Sequence, residues 1–66
     1  MTVTVNGQPT DMASGTTVAR VVADVAGHET GVAVAVNGDV LPRDTWRATE
    51  LRHGDRVEIV TAVQGG

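Results

Sequence analysis

The sequence predicts an α+β fold: a mixed sheet of four to five strands with one main helix packed on one face. Three observations carry this. Two alternating segments each run into an Asn-Gly pair, at Asn6-Gly7 and Asn37-Gly38. Between them lies one segment with helical periodicity. A further alternating strand follows the Gly54-Asp55 turn. A hairpin, a crossover helix and more strands in so short a chain fit a single sheet covered on one side.

Met1-Thr2-Val3-Thr4-Val5 alternates apolar and hydroxyl side chains, the period of a half-buried strand with Met1, Val3 and Val5 inward. Asn6-Gly7 is a two-residue hairpin signal, because both residues accept positive φ. Gln8 to Met12 is the returning strand, and Pro9 near its start suits an edge. Thr16 or Thr17 then supplies a cap for a helix. Val18, Val21, Val22 and Val25 form one apolar stripe at i, i+3, i+4 and i+7. Arg20 and Asp24 sit on the other side, spaced for a weak pair. Gly27 ends the helix.

Val32 to Val36 is the next strand, its valines on one face and Ala33 and Ala35 on the other. Asn37-Gly38 turns it toward Val40 and Leu41, and Pro42 stops that strand. Arg43 to Glu50 reads as irregular or a short helical turn and holds the single aromatic residue, Trp46, a partly buried plug for a valine-rich core. Arg56 to Thr61 is the last strand, with Val57 and Ile59 inward. Residues 63–66, Val63-Gln64-Gly65-Gly66, then read as a flexible tail on a single domain spanning 1–66.

Composition narrows the function. The 66 residues carry five basic against eight acidic side chains, a net charge of -3 that argues against nucleic acid as a partner. With no cysteine there is no disulfide, thiol nucleophile or thiolate metal site, and two histidines do not make a multi-histidine cage. No apolar run approaches the roughly 20 residues of a membrane span, and residues 1–6 do not read as a signal peptide, so a cytoplasmic, monomeric protein is expected. Every basic residue is arginine, so the chain offers no lysine for an isopeptide bond.

No catalytic constellation is present. Ser14 has no histidine near it in sequence, His28 and His53 fall in loops, and the carboxylates are scattered. No glycine-rich segment has a phosphate-loop pattern. Chemistry concentrates instead in Gly65-Gly66. Two residues without Cβ atoms make a thin tip that enters a channel closed to larger side chains. From Val63 to Gly66 the reach is at most about 13–14 Å. That is enough to deliver a carboxylate to a partner's active site. Adenylation by ATP would turn this poor electrophile into a good one.

Several stretches together resemble the thiamine-biosynthesis sulfur carrier family, ThiS, which is ubiquitin-like. They are the opening Val3-Thr4-Val5-Asn6-Gly7, the run from Val34 to Arg43 with its Asn-Gly-x-x-x-Pro-Arg turn, Trp46, the run Leu51-Arg52-His53-Gly54-Asp55-Arg56-Val57-Glu58-Ile59-Val60, and the Val63-Gln64-Gly65-Gly66 end. The match is weakest over Gln8 to Thr30. The resemblance implies a β-grasp fold, in which the first and last strands are adjacent and parallel. It implies that the chain is not an enzyme and holds no cofactor. It is instead the protein substrate of a ThiF-like adenylating enzyme of the ubiquitin-activating type, which uses ATP and magnesium. The Gly66 carboxylate would become an acyl-adenylate, then a thiocarboxylate through persulfide sulfur from a cysteine desulfurase. A ThiG-like thiazole synthase would take that sulfur into the thiazole ring.

Strand phase suggests where such partners dock. With Val3, Val5, Val32, Val34, Val36, Val57 and Ile59 toward the helix, the opposite face carries Thr2, Thr4, Ala33, Ala35, Val60 and Ala62. Ala33, Ala35, Val60 and Ala62, with Leu41 nearby, are the docking candidates. Arg43 and Arg47 read as ordinary solubilising charges. Two alternatives stand beside the thiamine carrier. One is the small subunit of molybdopterin synthase or another ubiquitin-like sulfur carrier. The other is a ubiquitin-like modifier or interaction domain whose end is never activated.

Overall fold

The computed structural model describes residues 1–62. Five strands and one α-helix follow in the order β1 (Thr2–Val5), β2 (Gln8–Asp11), α1 (Val18–Val25), β3 (Val32–Val36), β4 (Asp39–Leu41) and β5 (Arg56–Thr61), with a 3₁₀ helix at Arg43–Ala48 before the last strand. The residues expected to form the tail, Val63, Gln64, Gly65 and Gly66, lie outside the described residues.

The strands form one sheet in the order β2-β1-β5-β3-β4. β1 and β5 are adjacent and parallel, with Thr4 opposite Arg56 and Val5 opposite Val57. The other three pairings are antiparallel. The last strand therefore lies at the centre of the sheet, between the first strand and the third.

Both hairpins close through Asn-Gly. Asn6 and Gly7 have φ of 49° and 81°, and Asn37 and Gly38 have 51° and 87°. Positive φ at both central positions matches the right-handed twist of the flanking strands. It also pins the register, with Val5 opposite Gln8 and Val36 opposite Asp39.

Thr17 is the cap of α1, and its hydroxyl accepts a hydrogen bond from the Arg20 N–H at 3.3 Å. At the other end Gly27, at φ 78°, sends its N–H back to the carbonyls of Val22 and Ala23. A side chain at that conformation would be strained, so glycine belongs there. Val18, Val21 and Val22 are buried, but Val25 is 51% exposed. The predicted stripe thus loses its last member to solvent in the final turn.

The core consists of Val3, Val5, Val34, Val57 and Ile59 from the sheet, the three helix valines, Trp46 and Leu51. Trp46 is 1% exposed, deeper than the partly buried plug expected, and its indole N–H donates to the Leu41 carbonyl at 3.0 Å. In a valine-rich interior it is the one large side chain, and the 3₁₀ helix exists to bring it under the sheet. Backbone bonds from Val18 N–H to Thr49 and from Leu51 N–H to Thr16 tie that segment to the start of α1.

Candidate functional site

β5 is the last described element before residues 63–66, where the sequence concentrates its candidate chemistry, so what holds β5 comes first. Three asparagine and aspartate side chains fix this strand. On one flank the Asn6 N–H donates to the Val57 carbonyl at 2.9 Å, and the Asn6 Oδ1 accepts the Ile59 N–H at 2.8 Å. On the other flank the Asn37 Oδ1 accepts the Arg56 N–H at 2.9 Å while its Nδ2 donates to Asp55 Oδ1 at 3.0 Å. Asp55 Oδ2 in turn accepts the Arg52 N–H at 2.8 Å, closing the turn that launches the strand. The two Asn-Gly pairs, read from sequence as turns only, therefore also grip β5 from both sides. Each Asn reaches residues far along the chain, so no local pattern shows it.

The sheet face away from α1 is open. Ala33 lies opposite Val60, and Ala35 opposite Glu58. Ala33, Val60 and Ala62 are exposed, Val60 at 64%, and Ala35, Thr2 and Thr4 are half-buried. The structure brings these six residues onto one surface. Leu41 is not on it. The register places Leu41 opposite Val34, on the helix side, where it is half-buried against the core. Its neighbour Val40, opposite Ala35 and 74% exposed, occupies the open face instead. The signal was available: a two-residue turn at Asn37-Gly38 pairs residue 36 with 39, hence 35 with 40 and 34 with 41. Side chains of directly opposed residues share a face.

The rest of the surface carries local interactions. The His53 Nδ1 accepts the Thr2 N–H at 3.0 Å, and the His28 Nδ1 lies 2.9 Å from the Thr30 carbonyl, both on exposed rings. Arg20 pairs with Asp24 at 3.2 Å, both well solvated, and the exposed Arg47 lies 4.0 Å from the half-buried Glu29. A cleft of about 620 Å³ opens between the β1–β2 hairpin and α1, floored by Val5, Met12, Val21 and Val25. Among the described residues no three His, Asp or Glu side chains converge to hold a metal ion, and no helix is long and apolar enough to cross a membrane.

A helix laid across a five-stranded mixed sheet, with first and last strands adjacent and parallel at its centre, defines a small ubiquitin-like protein of the β-grasp class. Comparison with known proteins narrows this. The ThiS family model matches residues 3–66. The sulfur carrier protein ThiS of Escherichia coli K12 is 27% identical over 66 residues, covering both chains completely. A crystal structure of the thiamine biosynthesis protein ThiS from Geobacter metallireducens superimposes with a TM-score of 0.80 at 33% identity, again over the whole of both chains. A solution NMR structure of a thiamine biosynthesis protein from the same organism gives 0.80 at 35% identity, covering all of this chain and 88% of that one. The chain belongs to the ThiS family, a family of small sulfur carrier proteins that are not themselves enzymes.

Proposed function

We propose that this chain carries sulfur for thiamine biosynthesis as a thiocarboxylate on Gly66. The observation that supports it most is the family match, which runs through Gln64-Gly65-Gly66 to the last residue. The chemistry follows from a carboxylate at the end of a side-chain-free tip. A carboxylate oxygen attacks the α-phosphorus of magnesium-bound ATP and pyrophosphate leaves, giving the acyl-adenylate. The terminal sulfur of a persulfide, derived from cysteine, attacks the acyl carbon and AMP leaves. A thiol then cleaves the S–S bond and releases the thiocarboxylate. Thiazole synthase consumes it and returns the carboxylate.

The adenylating enzyme and thiazole synthase supply the catalysis, in the cytoplasm. This chain, a monomer when alone, supplies the reacting atom and a docking face of Ala33, Ala35, Val40, Val60 and Ala62. Small apolar side chains on that face lie beside the exposed Arg56–Glu58 pair, 3.7 Å apart, so it offers a partner an apolar surface bordered by charge.

Intact-protein mass spectrometry tests the reading. The chain is incubated with ATP, magnesium, its host's adenylating enzyme and a sulfur source. A mass change equal to one oxygen replaced by sulfur, mapped to Gly66, is the expected result. An unmodified chain beside an enzyme shown to be active on another carrier would overturn it.

A further inference from the structure

Antiparallel pairing makes alternate residues of a strand point their N–H and C=O groups to opposite flanks. In β5 the assignment is fixed at both ends. The Ala62 N–H donates to the Gly31 carbonyl at 2.7 Å, and the Asn37 N–H donates to the Arg56 carbonyl at 2.8 Å. Residues 56, 58, 60 and 62 therefore bond toward β3, and residues 57, 59 and 61 face β1. But β1 stops at Val5, and the chain turns away at Asn6-Gly7. The Asn6 side chain takes the Ile59 N–H, the last donor it reaches. Beyond it the Ile59 carbonyl, the Thr61 N–H and the Thr61 carbonyl face a flank from which the partner strand has gone. Among the described residues none of the three has a hydrogen-bond partner.

Free strand edges invite pairing, and proteins usually blunt them with proline, charge or brevity. The two outer edges here follow that rule: β2 carries Pro9 and Asp11, and β4 has three residues. The edge at Ile59–Thr61 is as short as β4 but carries neither proline nor charge, and it lies at the middle of the sheet, directly before residues 63–66. We infer that this inner edge receives an extended segment of the adenylating partner, which pairs with the Thr61 backbone as an added strand and aims the tail. The inference rests on the carrier reading above. Gly65 and Gly66 offer no side chains to hold, so a partner that positions the Gly66 carboxylate has to grip the backbone upstream. From Thr61 the fully extended chain spans at most about 18 Å to Gly66, and a register fixed at Thr61 limits where its end falls. Main-chain pairing of this kind supplies affinity without side-chain specificity.

Two measurements test this on the full chain with its host's adenylating enzyme. Thr61→Pro removes one N–H that has no internal partner, at a position already extended, so thermal unfolding should match that of Thr61→Ala. Affinity for the enzyme, read by titration calorimetry, should fall roughly tenfold for Thr61→Pro, since the partner's acceptor is left unpaired, and stay unchanged for Thr61→Ala. Independently of any variant, the Thr61 amide should exchange with deuterium at least about tenfold more slowly in the saturated complex. Unchanged Thr61 exchange in that complex would overturn the edge pairing, as would a folded Thr61→Pro that binds like the parent. In both cases a parent chain that still loads sulfur leaves the carrier reading standing. A parent that the enzyme neither binds nor loads removes the carrier reading and the pairing together.

Discussion

Asn6 concentrates several jobs in one residue. It accepts positive φ in the first turn, its N–H holds Val57, and its Oδ1 satisfies the half-buried Ile59 N–H across 53 residues of sequence separation. Asn6→Ala leaves that N–H without an acceptor and replaces a residue that tolerates the left-handed region with one that does not, for a combined loss of about 2–3 kcal/mol. Asn6→Asp keeps an acceptor of the same reach and tolerates the same φ, so its loss should stay below about 1 kcal/mol. Urea unfolding of the three proteins distinguishes these outcomes. Equal stability of Asn6→Ala and Asn6→Asp would mean that the Ile59 bond contributes nothing.

At the scale of elements, legibility follows the range of the interaction. β3, β5, both hairpin turns and α1 declare themselves locally, through period, Asn-Gly and the Thr17 and Gly27 caps, and the structure shows all of them. Leu41, a docking candidate beside the face, and Val40 are both apolar, and only the two-residue turn register decides that Val40 takes the open face and Leu41 the helix side. The 3₁₀ helix was legible only as something short and irregular, since its reason for existing is the distant cavity that Trp46 fills. That gives it a test. Trp46→Ala removes the largest core side chain and should cost about 3–5 kcal/mol, most of what a 66-residue domain has. Trp46→Phe keeps most of the volume but loses the indole N–H bond to the Leu41 carbonyl and should cost about 1–2 kcal/mol. Circular dichroism melts report both, and a fully folded Trp46→Ala would show the 3₁₀ helix to be dispensable. The open sheet face makes the opposite expectation. Ala35→Arg lies outside the core, facing Glu58, so stability should move by less than about 0.5 kcal/mol. Calorimetric titration with the adenylating enzyme should show weaker binding, and unaltered binding would place the docking surface elsewhere.

At the scale of the whole molecule, the fold and the proposed chemistry occupy different parts of the chain. Every core residue lies between Val3 and Ile59, and the last described backbone bond of the sheet is from Ala62 to Gly31. Deleting Gly66 removes nothing from either, so the unfolding free energy should stay within about 0.5 kcal/mol of the parent. The shortened chain still ends in glycine and still offers a carboxylate. What changes is reach: the carboxylate is drawn back by roughly 3.3–3.6 Å, one extended residue. A productive attack needs reacting atoms about 3–3.5 Å apart, so a shortfall of that size takes the carboxylate out of range of an adenylating site held by fixed docking contacts. Adding one glycine after Gly66 misplaces it by the same distance in the other direction. Both variants should therefore bind the adenylating enzyme and fail to gain sulfur in intact-mass measurements. Sulfur loading at the parent's rate in either would mean that the docked domain does not set the position of the reacting carbon, which is the premise of a carrier that works by placement.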